Sequence, residues 1–181
     1  MKGRMIITLM LCVALVGAAG RAAAQSLTTV AMAASRNETA QVQALLEDKF
    51  NDPDIVDGQS GRTALDFAAS FNNLTMAQLL LDHGAHVDWR DSMGNSALHY
   101  AAERSNLDVL RFLIERGATV DFTNKQGITP IMVAAEHAQP AAVRFLLKSG
   151  ADPKKQDFTG RDAYGWAGGN PAVVQALNTA R

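Results

Sequence analysis

The chain has 181 residues, 48% hydrophobic and 19% charged, with a formal net charge of −1 and one cysteine. That length supports one domain or two small ones around a real core. The totals exclude intrinsic disorder, a basic nucleic-acid surface, an internal disulfide and a multi-thiolate zinc site.

The first predicted element is a targeting segment. Residues 1–24 read Met-Lys-Gly-Arg, an apolar run from Met5 to Ala19, then Gly20-Arg21-Ala22-Ala23-Ala24. A basic head, an apolar stretch and a small-x-small end together make a secretory signal peptide, with cleavage expected after Ala24. The run falls short of the ~20 apolar residues that span a membrane. Cys12 lies inside the run rather than at its end, where a lipoprotein anchor would need it. The segment resembles a bacterial Sec signal, so the expected location is the periplasm, with secretion as the alternative. Cleavage discards Lys2, Arg4 and Arg21 but no acid, leaving 157 residues with 14 basic and 18 acidic side chains, a formal −4. The lone thiol goes too, which suits an oxidising compartment.

Self-similarity organises the remainder. Gly61, Gly94, Gly127 and Gly160 recur every 33 residues, and Gly84, Gly117 and Gly150 keep the same period. Around the first series the chain reads Gly-Arg-Thr-Ala-Leu-Asp-Phe-Ala-Ala, Gly-Asn-Ser-Ala-Leu-His-Tyr-Ala-Ala and Gly-Ile-Thr-Pro-Ile-Met-Val-Ala-Ala. The second series follows Leu80-Leu81, Leu113-Ile114 and Leu146-Leu147. These runs resemble the ankyrin repeat, with its 33-residue period and Thr-Pro-Leu-His-x-Ala core. The resemblance covers nearly all of residues 26–181 and implies an all-α solenoid of helix-turn-helix units with projecting β-turn fingers.

Elementary helix signals give the same unit. Thr63, Ser96, Thr129 and Asp162 share one repeat position, and all are N-cap residue types. Pro130 follows as a first-turn proline. Leu65, Ala68 and Ala69 then line one face of a short helix, and the paired alanines admit a close neighbour. Asn72-Asn73, Ser105-Asn106 and Ala138-Gln139 turn the chain into a second helix, which Pro140 and Pro171 open in the later units. Gly84, Gly117 and Gly150 end those helices as left-handed residues. The ends depart from the pattern, as solenoid caps do. Ala33-Ala34 and Leu45-Leu46 mark a first pair with Lys49-Phe50-Asn51 in place of the Gly-Ala step, and Gly168-Gly169 interrupt the fifth. The expected layout is a signal peptide over 1–24 and a repeat domain over 25–181. Its five pairs span approximately 26–58 (a divergent N-terminal cap), 59–91, 92–124, 125–157 and 158–181 (the C-terminal cap).

On such a scaffold function belongs to the surface. The resemblance implies docking of a partner on the concave side, formed by finger tips and the exposed flank of the first helices. The register places Gln59, Ser60, Arg62, Ser70 and Phe71 there in the second unit. It places Ser92, Met93, Asn95, Glu103 and Arg104 there in the third, and Lys125, Gln126, Ile128, Glu136 and His137 in the fourth. Phe158 and Arg161 continue the row. Trp89, with Arg90 beside it, and its repeat equivalent Phe122 lie near the finger bases, either packing neighbouring fingers or anchoring a partner. Aromatic side chains, Met and Arg are the types that dominate binding energy.

Other chemistry is weakly supported. A ligand, metal or haem carrier built on the histidines is the second reading. However, the resemblance gives His99 a structural hydrogen bond to neighbouring backbone, and His83 and His86 straddle the helix end at Gly84. No spacing suggests a closed metal site, and no cofactor is expected. Ser60-Gly61 and Ser149-Gly150 are repeat punctuation rather than a nucleophile elbow. Asp88 and Asp121 recur at one repeat position and read as turn residues. The expectation is a monomeric, non-enzymatic module that binds another protein, with no nucleic acid and, after cleavage, no membrane. Two jobs remain open, an immunity-type inhibitor of a toxic enzyme and a helper of an oxidative-stress enzyme.

The register itself is testable. Leu80 and Leu113 are placed on the inward face of the second helices, so truncation of either to Ala should cost ~2–5 kcal/mol. Urea melts would read this as a lowered midpoint, and unchanged midpoints would refute the register.

Overall fold

The computed structural model describes residues 29–48 and 51–179. The expected signal peptide and Lys49-Phe50 lie outside the described residues. Among the described residues, ten helices form five antiparallel pairs: α1 Val30–Ser35 with α2 Thr39–Leu46, α3 Ala64–Ser70 with α4 Leu74–Asp82, α5 Ala97–Arg104 with α6 Leu107–Glu115, α7 Pro130–Glu136 with α8 Pro140–Lys148, and α9 Ala163–Trp166 with α10 Pro171–Asn178. There is no β-strand among the described residues, and no helix there is long and apolar enough to cross a membrane. The odd-numbered helices stack in one row and the even-numbered in a second row behind it.

Each pair begins as the residue types dictate. Thr63 Oγ1 accepts from the Asp66 N–H at 3.3 Å, and Asp162 Oδ1 from the Gly165 N–H at 2.9 Å. Thr29 does the same for Met32 in the first pair. Between helices the chain passes through left-handed residues at Asn37, Asn72, Ser105 and Ala138. Asn106 then reaches back one unit, its Nδ2 donating to the carbonyls of Ala69 and Ser70 at 2.7 and 3.0 Å. In the first unit, Asn51 Nδ2 donates to the Leu45 carbonyl at 2.8 Å, closing the helix end where later units use Gly-Ala.

The alanine pairs are fully buried, and so are Leu80, Leu113 and Leu146 from the second row. One apolar core runs the length of the stack, from Val30 to Leu177. A single pair could not cover its own apolar face, so the stack stabilises as a unit.

The fingers are tied to one another. Asp57, Asp91, Asn124 and Asp157 each close their own finger, with the backbone N–H donating to the carbonyls of Arg62, Asn95, Ile128 and Arg161 at 2.9–3.0 Å. Neighbouring fingers then share one backbone–backbone bond per interface: Ser92 N–H to Ser60 O, Lys125 N–H to Met93 O and Phe158 N–H to Gln126 O, at 3.0–3.1 Å. That approach needs glycine. A Cβ on Gly94 would stand 2.8 Å from the Lys125 nitrogen, whereas Gly160, in the last finger, has nothing within 4 Å. Both have φ near +80°, at +82° and +84°.

The two glycines therefore separate strain from contact. Gly160→Ala should cost about 1–2 kcal/mol for the left-handed backbone alone. Gly94→Ala should cost about 1–3 kcal/mol more, because the adjacent finger must move. Equal urea midpoints for the two variants would contradict the tight finger packing.

Candidate functional site on the concave face

The concave surface is built by one repeat position. Phe67, Tyr100, Val133 and Trp166 recur at the 33-residue period on the odd-numbered helices and are partly buried against the core. Over this row lie two of the residues that precede an N-cap, Arg62 and Arg161. The Arg62 guanidinium sits 4.3 Å from the Phe67 ring centroid and 3.9 Å from that of Tyr100. Arg161 sits 3.7 Å from the Trp166 ring. Arg62 Nη2 donates to the Asp66 carbonyl at 3.1 Å and to Ser70 Oγ. Tyr100 Oη donates to Asp91, and burial together with that bond pushes the phenol up.

Most of the expected docking residues line one of three clefts. Arg62, Phe71 and Arg104 line one cleft of about 280 Å³ with Phe67, Ser70, Tyr100 and Glu103. Phe71 and Arg104 are exposed at the ends of α3 and α5, with 47% of Phe71 accessible. Phe158, 79% exposed, lines a second cleft of about 260 Å³ with Lys125, Gln126 and Trp166. Met93 is 54% exposed on its finger. Trp89 and Arg90 line a third cleft, of about 500 Å³, with His86, Val87 and Asp88 at the finger bases. His137 caps α7, where its Nδ1 lies 3.1 Å from the Val133 carbonyl.

Four of the expected docking residues are more committed to the stack than their register suggests. Ile128 is only 8% exposed and packs with the core, so it forms part of the floor of the Phe158 cleft rather than a projecting contact. Phe122 is committed within the stack: its ring meets His99 edge-on at 6.2 Å, and the Arg90 guanidinium lies 4.2 Å from its centroid. Arg90 in turn donates from Nη1 to the Thr123 carbonyl at 3.2 Å, which makes it a clasp between fingers. Arg62 is half-buried by its ring contacts rather than standing free.

The recurrent carboxylates hold backbone. Asp88 accepts from the Thr119 N–H at 3.1 and 3.2 Å, and Asp121 from the Asp152 N–H at 3.2 and 3.1 Å. Asp54 plays the same part for the His86 N–H, and it also bonds the His86 ring. That bond holds His86 above its ordinary value. Asp157 is kept ionised: burial would raise its carboxyl, but donors from Thr159, Arg161 and Trp166 hold it down to about 2.

Two buried groups at one repeat position titrate in opposite senses. Asp66 Oδ2 accepts from the Thr63 N–H at 2.8 Å, and His99 Nδ1 accepts from the Ser96 N–H at 3.2 Å. The His99 Nε2–H donates to the Ile128 carbonyl of the next unit at 3.1 Å, as the resemblance implied. Burial pushes the Asp66 carboxyl up to about 7, against the Thr63 donors and the nearby Arg62 charge. Burial lowers His99 to about 4, although the Ile128 carbonyl and Asp91 favour its cation.

Sequence reading missed the aromatic row at Phe67, Tyr100 and Trp166. The signal was present in the same 33-residue period that located the glycines. Among the described residues, no group of three or more His, Cys, Asp and Glu side chains is placed to hold one metal ion.

A family model for ankyrin repeats matches three times, over residues 8–91, 30–124 and 85–157. The chain belongs to the ankyrin repeat family, whose members are generally protein–protein interaction modules. No curated protein matches the chain.

The opposed buried groups set a pH profile. Between about 4 and 6.5 the unfolded chain carries a proton on the imidazole and none on the carboxyl, while the folded chain does the reverse. Proton counts then match, so this pair leaves stability flat. His99→Met removes one half, and stability should fall as pH rises from about 4 to 7, at up to about 1.4 kcal/mol per unit. Asp66→Asn should give the opposite slope between 4 and 6.5. Urea melts at three pH values check both signs, and flat profiles in both variants would contradict the assignment.

Proposed function

We propose that this is an exported bacterial adaptor-type protein that works in the periplasm and catalyses no reaction. It docks one partner protein on the concave face, either to inhibit a toxic enzyme or to assist an oxidative-stress enzyme. The observation that carries the reading is the set of exposed Phe71, Met93, Arg104 and Phe158 on fingers and helix ends that are already rigid. Such side chains are those that dominate interface energies. A preformed surface loses little ordering entropy when a partner arrives. The basic-apolar-small segment over residues 1–24 supports export, and the thiol-free remainder suits an oxidising compartment.

Affinity capture from a periplasmic extract tests this, with wild type beside a Phe71→Ala, Arg104→Glu double variant. Both side chains are exposed, so thermal melts should not change. The partner held by wild type should bind the variant at least about thirtyfold more weakly, the cost of one lost hot-spot residue. The same partner captured at undiminished affinity would refute the surface assignment.

A further inference from the structure

The cleft between the second and third units holds a cation whose bonds are only half used. Arg62 Nη2 takes both acceptors that the protein offers. Nε is buried with no hydrogen-bond partner, and no acceptor among the described residues bonds Nη1. None of the ion pairs within 4.0 Å among the described residues includes Arg62. The guanidinium is nevertheless immobilised, because Phe67 and Tyr100 hold it on their rings. Arg104 lines the same cleft, and its contact with Glu103 is a loose 3.7 Å. Burial pushes the Asp66 carboxyl up to about 7, so near neutral pH it carries only part of its charge. Two guanidiniums and one carboxylate, that of Glu103, line the cleft itself, and the Asp91 carboxylate behind it is occupied by the Tyr100 hydroxyl, inside a chain whose net charge is negative.

From this we infer that the cleft is an anchor pocket for an acidic side chain, Asp or Glu, on an apolar segment of the partner protein. The inference rests on the concave-face docking proposed above and specifies its chemistry. A carboxylate would pair with Arg62 and Arg104, and the neighbouring apolar residue would cover Phe71. A guanidinium fixed on aromatic faces has already lost its rotamer freedom, so each new bond to a planar carboxylate costs little further order. The cleft volume of about 280 Å³ suits one or two side chains rather than a folded element.

A phage-displayed library of random 12-residue peptides, selected on the immobilised full chain at constant ionic strength, tests the inference. Enriched sequences should share an Asp or Glu beside an apolar residue. Synthesised winners should bind about tenfold more weakly when that acid becomes Gln or Asn. They should weaken similarly on Arg104→Gln, where the side chain is exposed and folding is safe, and on Arg62→Lys, which keeps charge but loses the fork. Arg144→Gln, exposed on α8, should bind as wild type does. Winners without acids that are lost on Met93→Ala or Phe158→Ala would overturn the anchor and leave the concave-face reading standing. Winners indifferent to all these variants would overturn both. No enrichment would also overturn the acidic-segment anchor.

Discussion

Everything in this stack depends on the single backbone hydrogen bond that each finger donates to the one before it. The bonds Ser92 to Ser60, Lys125 to Met93 and Phe158 to Gln126 repeat at one position, and each lies beside a glycine. They fix the spacing of successive units from the finger side, while the alanine pairs fix it from the helix side. A side chain at Gly94 would push the fingers apart. The helices behind would then lose the close approach that their alanines permit, and the shared core would open. Because the spacing is fixed, Arg62 and Arg161, at the position before the N-cap, fall over the aromatic row.

Polar groups in the stack are mostly committed to that geometry. Asp54, Asp88 and Asp121 accept the first backbone donors beyond the Gly-Ala step of the following unit. Asp57, Asp91, Asn124 and Asp157 each accept donors within their own finger. His99 spans two units from the core. An unpaired buried acceptor or donor would cost about 1–3 kcal/mol, so these assignments are stringent. Thr129 shows the consequence of a weak partner: Met132 replaces the acid or imidazole, and the Thr129 hydroxyl is left without a hydrogen bond. Among the described residues, the buried side-chain atoms left without a hydrogen bond are this hydroxyl and the Arg62 Nε.

Much of this was legible because the period acts as an internal alignment. Thr63, Ser96 and Asp162 begin helices, Asn72 turns the chain, and Gly84, Gly117 and Gly150 close it, as their residue types favour, whereas Ser105 and Ala138 take the same left-handed turn against theirs. The surface was less legible. Register places a residue on a face but does not say what a neighbouring unit lays over it. Ile128 sits where Arg62 and Arg161 sit, yet its apolar side chain joins the core while theirs stack on rings. Phe122 looked equivalent to Trp89, but Arg90 covers only Phe122. Ring stacking between repeats is a tertiary event that spacing alone does not reveal.

The central claim is that a partner meets the fingers and the odd-numbered helices, and not the outer row. Amide hydrogen exchange of the full chain, with and without its captured partner, measures this directly. The account predicts slower exchange within 57–71, 91–104 and 124–137, with α4, α6 and α8 unchanged. Protection confined to α4, α6 and α8 would contradict it.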